Sequence, residues 1–337
     1  MKIYPTNSSD KKVWNFLIMD TLMRHTDVEH HLLQQEIIDH IKHEYGIEID
    51  RRTISSHIAS LNDLFGDVIV KEKGYYFDGA DFDEAELRLL IDSVLFSKTL
   101  SAHTAQVLIR KLTALGNDYF KPKVSHVSSA AEIQRTGNPS VLYTVNNIND
   151  AIDLDKKISF RYQKYGVDFD GKLKLQDRGR EYIVSPYQMV ASNGKYYLLA
   201  NTEQFDDVSY YRIDKIRNVT ILDEHRRTQK DVKGLENGIN LPKHMAENIY
   251  MFCGGSIPVQ LKTTKSMIDS IVDWFGNDIR IIKISEDSDE VEIKVMCNRN
   301  AIHYWALQYG LFVEVQKPES LRQEIKESIE KMQKRYL

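Results

Sequence analysis

Apolar residues recur at helical spacing through the first third of the chain and at alternate positions through its middle. Trp14, Leu17, Ile18, Thr21 and Leu22 share one helical face, and Leu33, Ile37 and Ile41 share a second that stops at Tyr45-Gly46. Asp50 suits an N-cap, and Ile54, Ile58, Leu61 and Phe65 behind it predict a third helix closed by Gly66. Val68-Ile69-Val70 and Tyr75-Tyr76-Phe77 then flank the charged tip Lys71-Glu72-Lys73-Gly74, which reads as a hairpin. Helical spacing returns from Asp81 to Phe120, with Leu87, Leu90, Ile91 and Val94 in one stripe and Val107, Leu108, Leu112 and Leu115 in another. Residues 121–139, polar and holding two prolines, read as a connector. Beyond it Ile158, Phe160 and Tyr162 alternate with polar residues, and short strands are predicted at 182–184, 195–200 and 210–213, with Asn193-Gly194 as a hairpin turn. Strands without intervening helices suggest a small β-barrel. The remainder mixes strands at 257–263, 279–284, 291–297 and 311–315 with helices at 266–275, 301–309 and 319–336, the outline of an α+β sandwich.

Three helices and a hairpin in this order are the plan of a winged helix-turn-helix. The apolar residues of the third helix lie within about 40° of one direction on a helical wheel. Opposite them stand Arg52, Ser56 and Ala59, with Ser55 on the flank and Arg51 at the helix start. A face of arginines and small side chains can enter a groove, where Arg52 would meet a guanine edge or a phosphate. Lys71 and Lys73 at the hairpin tip would reach flanking phosphates. Against this, residues 1–78 hold nine Lys/Arg and thirteen Asp/Glu. A three-helix module for protein contacts is the plainer alternative.

Composition narrows the classes. The 337 residues are 42% hydrophobic and 28% charged, enough for several folded domains, and the net charge of −4 offers no general field for nucleic acid. No stretch has the ~18 consecutive apolar residues of a membrane helix. No secretory leader pattern opens the sequence, and the two cysteines, Cys253 and Cys297, lack metal-ligand spacing. A cytoplasmic protein without membrane, metal or cofactor is expected. His25, His30, His31, His40 and His43 invite a metal reading, with His40 and His43 three residues apart on one helix, but no carboxylate partner is evident in the sequence. Gly254-Gly255-Ser256 lacks the lysine and the context of a phosphate loop, and no catalytic constellation stands out, so no enzyme is expected. Cys297 falls on the apolar side of its strand and is expected in the core.

Tyr182-Ile183-Val184-Ser185-Pro186-Tyr187, then Asn193-Gly194-Lys195-Tyr196-Tyr197-Leu198-Leu199-Ala200, then Tyr211-Arg212-Ile213-Asp214-Lys215-Ile216 resembles the WYL domain. Tyr196 replaces the family's tryptophan, and Lys215 stands where the family often has arginine. Leu307-Gln308-Tyr309-Gly310, Val313-Glu314-Val315 and Pro318 resemble the extension that follows such domains, and Arg52-Thr53-Ile54 is similar to the opening of the third helix in bacterial helix-turn-helix regulators. The resemblance implies a multidomain α+β transcription regulator. Its parts would be a winged helix-turn-helix at 1–78, a helical linker at 79–140, an Sm-like WYL barrel at 141–230 and an α+β extension at 231–337 that assists dimerisation. Its partners would be a double-stranded DNA operator, a second copy of the chain and a sensed ligand, in some relatives a nucleotide or nucleic acid.

Read physically, residues 150–230 hold fifteen Lys/Arg against thirteen Asp/Glu, with tyrosines interleaved. Such a surface suits a small anionic or nucleic-acid effector, with rings for bases and guanidinium for phosphate. Arg212 is the expected charge anchor, matching the family's arginine. Arg161 and Arg180 would supplement it, and Tyr162, Tyr187, Tyr196 and Tyr210 would form walls. Each tyrosine has a plainer role in the core, and Arg212 has one as a structural partner of Asp214. A nucleic-acid-responsive module that regulates a partner enzyme is the other functional reading.

Overall fold

A computed structural model describes residues 13–124, 138–285 and 288–337 and divides into two units, Met1–Gly137 and Asn138–Leu337. The first unit opens with α1 (Trp14–His25), α2 (Gln34–Tyr45) and α3 (Arg51–Phe65), followed by the hairpin of β1 (Ile69–Lys71) and β2 (Tyr75–Phe77). Gly46, at φ +68°, ends α2 in a left-handed conformation that a side chain would disfavour. Asp50 caps α3 by accepting from the Arg52 N–H at 2.9 Å. The predicted stripes close one core, in which Leu17, Ile18, Leu22, Ile37, Ile41, Ile54, Ile58, Leu61 and Ile69 are buried. Each such side chain contributes on the order of 1.5–3 kcal/mol. Phe65 departs from its stripe. Helix α3 outruns the core by a turn there, leaving Leu64 71% and Phe65 61% exposed. The hairpin is held to the helices by an antiparallel bridge between Leu32 and Tyr75. At Gly74 a Cβ would come within 2.8 Å of the Leu32 carbonyl oxygen, so glycine lets the two backbones meet.

Helices α4 (Glu84–Phe96), α5 (Ala102–Thr113) and the short α6 (Phe120–Lys123) follow. Asp83 and Glu86 close a reciprocal capping box on α4. The buried set here is Leu87, Ile91, Leu95, Phe120 and Val124. Leu115 of the expected second stripe is 62% exposed, because α5 ends before it. The connector expected at 121–139 begins instead as α6, and most of the rest of it lies outside the described residues.

In the second unit α7 (Val141–Asp153) packs on five antiparallel strands: β3 (Lys156–Val167), β4 (Leu173–Ser192), β5 (Lys195–Asn201), β6 (Ser209–Arg212) and β7 (Ile216–His225). Their order is β6-β5-β4-β3-β7. Asn193 and Gly194 both have positive φ, as the predicted hairpin turn requires. The long β4 serves two neighbours, pairing with β3 up to Val184 and with β5 from Ser185. The two edge strands are joined by the 3-10 turn Ile213–Lys215. Four residues span at most ~14 Å, whereas the edges of a flat five-stranded sheet lie ~19 Å apart, so this sheet must curl. Phe160, Val184, Leu198, Ala200 and Ile213 are buried between it and α7.

Past α8 (Leu241–Glu247), β8 (Ser256–Thr264), β9 (Arg280–Ile284), β10 (Glu290–Asn298) and β11 (Glu314–Lys317) form a sheet of order β11-β8-β10-β9. Helices α9 (Ile268–Phe275), α10 (Arg299–Gln308) and α11 (Glu319–Tyr336) complete this part. Trp305 and Cys297 are fully buried with Val259, Leu261, Ile293 and Leu321. Burial pushes the Cys297 thiol up to about 12, consistent with a packing role. The strand expected at 311–315 starts only at Glu314. The N–H groups of Phe312 and Val313 instead bond back to the Tyr309 carbonyl, extending the end of α10 as a turn that leaves Leu311 93% exposed. Among the described residues no helix is long and apolar enough to cross a membrane.

Candidate nucleic-acid interface and anion site

In the first unit, burying Ile54, Ile58 and Leu61 turns the other side of α3 outward. Arg51, Arg52, Ser55, Ser56 and Ala59 are all exposed, as are Lys71 and Lys73 at the hairpin. The Arg52 guanidinium has no intramolecular partner among the described residues. Ser55 Oγ accepts from Gln34 Nε2 at 2.6 Å, Arg51 Nε approaches Gln34 Oε1 at 3.4 Å, and Ser56 Oγ donates to the Thr53 carbonyl at 3.1 Å. The two hydroxyls are thereby oriented while keeping lone pairs outward. Lys71 lies 5.7 Å from the Tyr75 ring centroid.

In the second unit Arg212 ends β6 beside Asp214. Its Nε donates to Asp214 Oδ1 at 3.0 Å and its Nη2 to Oδ2 at 2.7 Å, a two-pronged pair with the Asp214 side chain 2% exposed. A guanidinium has five N–H groups, so three remain beyond the two that Asp214 takes. Asp214 is itself fixed, its carbonyl accepting from Arg217 Nη1 at 2.9 Å and Asn138 Nδ2 at 3.2 Å. The structural role of Arg212 is real, and 22% of its side chain stays exposed.

Around this fork the fold gathers Tyr162, one of the expected walls, together with Lys164, Tyr165 and Lys195, which the sequence did not single out. Tyr162 Oη accepts from the Arg212 N–H at 3.1 Å, and burial pushes its hydroxyl up to about 12. Tyr197 is the direct cross-strand neighbour of Arg212. Lys215 lies 5.7 Å from the Tyr165 ring centroid. Its ammonium is held below the usual lysine range by burial first, then by the positive charges of Arg212, Lys195 and Lys164, against the opposing pull of Asp214. The available signal was β3 itself: its apolar alternation fades after Tyr162, but the strand runs on to Val167 and carries Lys164 and Tyr165 with it.

Other expected site residues lie elsewhere. Tyr187 is a core residue, 2% exposed, its hydroxyl donating to the Arg227 carbonyl at 2.8 Å, because β4 turns it into a second apolar cluster with Val190 and Leu199. Tyr210 is aimed at α8, its hydroxyl 2.7 Å from His244 Nε2, and lines a separate cleft of about 650 Å³ with Asn240, Lys243, His244 and Glu247. Arg161 is paired across the strands with Glu181 and approaches Asp177 at 3.4 Å, on the opposite face of β3 from Tyr162. Arg180 lies over the Tyr182 ring at 5.2 Å. Tyr196 packs against the cluster beneath α7, on the other side of β5 from Tyr197. The Gly254 carbonyl accepts from Asn298 Nδ2 at 2.9 Å, as do those of Phe252 and Cys253. That loop presents acceptors, which do not bind phosphate.

The chain matches the WYL domain over residues 143–221 and the WCX domain over residues 255–333. No curated protein matches it. Among solved structures it is similar to proteasome accessory factor B/C (PafBC) of Arthrobacter aurescens, at 16% identity and a TM-score of 0.32, over 98% of this chain and 51% of that one. It is also similar to a CRISPR Cas-related protein, at 12% identity and a TM-score of 0.38, over 98% of this chain and 88% of that one. The chain thus spans about half the length of the PafBC chain. Likeness this loose carries no residue role across. Most of the curled sheet, with Arg212 at its edge, falls within the first matched segment and most of the α10–α11 sandwich within the second, and the chain carries a WYL domain followed by a WCX domain.

Proposed function

We propose that the chain is a ligand-responsive transcriptional regulator. Residues 13–78 act as a winged helix-turn-helix whose α3 enters the major groove of an operator, while Lys71 and Lys73 reach neighbouring phosphates. The fork of Arg212, with Lys164, Lys195 and Lys215 around it, takes the phosphate of an effector, and Tyr162, Tyr165 and Tyr197 flank its base or sugar. A nucleotide or short oligonucleotide has that chemistry. The protein works as a homodimer. Supporting this, α11 leaves Ile329, Met332 and Tyr336 exposed along one groove with Leu311. No chemistry of its own is required, because an effector that prefers one arrangement of the DNA-bound dimer shifts its population.

The observation that carries this reading is a helix whose outward face presents Arg51, Arg52, Ser55, Ser56 and Ala59, with Asp63 only near its C-terminal end, on the same chain as a WYL domain. The test is a gel shift with duplex from the gene's own upstream region, with and without mono- and oligonucleotides. Retardation that changes with one of them, and loses its dependence on that ligand in Arg212→Ala while DNA binding persists, is expected. No retardation at low salt would favour a module that regulates a partner enzyme. A normal response in Arg212→Ala would remove the anion site from the account.

A further inference from the structure

The histidines of the first unit look scattered in sequence, but three chain segments bring two of them together with carboxylates. His25 closes the last turn of α1. His40 and Glu44, four residues apart, share one face of α2. One nitrogen of each histidine and one oxygen of Glu44 all lie within 4.8 Å of one another. The sequence had suggested His40 with His43, but His43 is exposed. From the third segment, Asp118 Oδ2 stands 2.8 Å from His25 Nδ1, while Glu44 Oε1 stands 2.8 Å from His25 Nε2.

We infer that His25, His40 and Glu44 bind one divalent cation of borderline softness, of the zinc, cobalt or nickel class, at the junction of α1, α2 and the turn that carries Asp118. Two imidazoles and one carboxylate are a donor set such ions accept. The carboxylate behind His25 is the feature that separates this from a chance cluster. A ligating imidazole commonly donates its other N–H to a carboxylate, which fixes the ring and strengthens it as a donor. Here Asp118 fills that role at Nδ1 and leaves Nε2 to the ion. Glu44 divides its oxygens in the same way: Oε2 takes Arg24, and Oε1 faces the site.

The His40 ring lies 4.3 Å from that of His25 at 20°. Burial first, then His25, holds its pKa below the ordinary histidine value, against the opposing pull of Glu44 and Glu36. The remaining charges facing the cluster are Asp20 and Arg24 on α1, Glu36 on α2, and Lys121, which pairs with Asp118. Tyr45 bonds both Asp20 and Arg24. Around one tetrahedral ion, ligand atoms sit about 3.3 Å apart with each imidazole lone pair aimed at the ion, so His25 Nε2 and Glu44 Oε1, 2.8 Å apart, open slightly and the His40 ring turns out of its stack about its side-chain torsions. A bound ion would tie the helices of the DNA-reading part to the 117–120 turn.

The test uses the full chain, stripped with chelator and titrated with Co(II), then Zn(II). One Co(II) per chain is expected, with visible absorption that Zn(II) abolishes, and affinity that falls on acidification. His40→Ala and Glu44→Gln should each weaken binding at least about tenfold, and Asp118→Asn about 10–100-fold with unchanged stoichiometry. Urea midpoints in chelator separate ligand loss from misfolding. Independently of any variant, Zn(II) should shift the imidazole NMR signals of His25 and His40 ahead of those of His30, His31, His43 and His57. The inference fails if there is no stoichiometric Co(II) binding, if affinity is unchanged in both His40→Ala and Glu44→Gln, or if His25 and His40 signals stay unmoved by Zn(II).

Discussion

Replacing Asp214 with asparagine tests whether the edge of the WYL sheet is built as described. Asp214 is 2% exposed, and both its oxygens hold Arg212, itself only 22% exposed. Asparagine keeps one carbonyl oxygen for one N–H of the fork and turns an NH2 donor toward the other. One charge-assisted bond, worth ~1.5–3 kcal/mol, is lost, the second weakens by ~1 kcal/mol, and a guanidinium is left without its counter-charge. Breaking a fully buried pair costs ~3–5 kcal/mol, and the partial exposure of Arg212 brings the expectation to about 2–4 kcal/mol. For a unit of this size each kcal/mol moves the melting temperature by roughly 2–4 °C, so a fall of about 4–16 °C is expected. Scanning calorimetry and urea unfolding followed by circular dichroism read this directly. Effector affinity should fall as well, because the three outward N–H groups lose their fixed direction. A change below about 0.5 kcal/mol would show that the pair does not form in solution, and the orienting role given to Asp214 would go with it.

Three further expectations follow from named residues. If Lys71 and Lys73 touch phosphates, removing either should lower the slope of log affinity against log salt by about one, uniformly across duplex sequences, as measured by fluorescence anisotropy. Tyr187→Phe removes the bond to the Arg227 carbonyl and the contact with the Ser185 hydroxyl, and should cost about 1 kcal/mol in urea unfolding with effector binding unchanged. Burial holds the His244 imidazole below its ordinary pKa of 6.5, so the unfolded chain takes up that proton first. Stability from this group is fully present above pH 6.5 and is lost as pH falls from there toward the folded value; urea midpoints compared with His244→Phe across pH 5–7.5 should show the loss only in the parent chain.

Helix α3 was legible because capping and periodicity act within a few residues: Asp50, the Ile54–Ile58–Leu61 stripe and the outward Arg52 all follow from local spacing. The Asn193-Gly194 turn was legible for the same reason, since few other pairs accept two positive φ values. The miss at 311–315 came from a competition between strand propensity and the end of α10, which tertiary packing decided. The anion site was half legible. Arg212 was found through resemblance, but Lys164 and Tyr165 depend on how far β3 extends, and Lys195 on how the sheet curls. Tyr187 and Tyr210 show the limit of composition as a guide, because the face a tyrosine takes depends on register shifts such as the one between Pro186 and Gln188. Glu44 and Asp118 were invisible as partners of His25 because they approach it from segments 19 and 93 residues further along the chain.

The account rests on the outward side of α3 meeting a DNA duplex. Anisotropy titration of a labelled upstream duplex with the parent chain and with Arg52→Ala, alongside sedimentation of both proteins, addresses it most directly. Loss of a base or phosphate contact predicts an affinity lower by about 1–3 kcal/mol, roughly 5- to 150-fold, with identical sedimentation. Equal affinity for the two proteins would contradict the account.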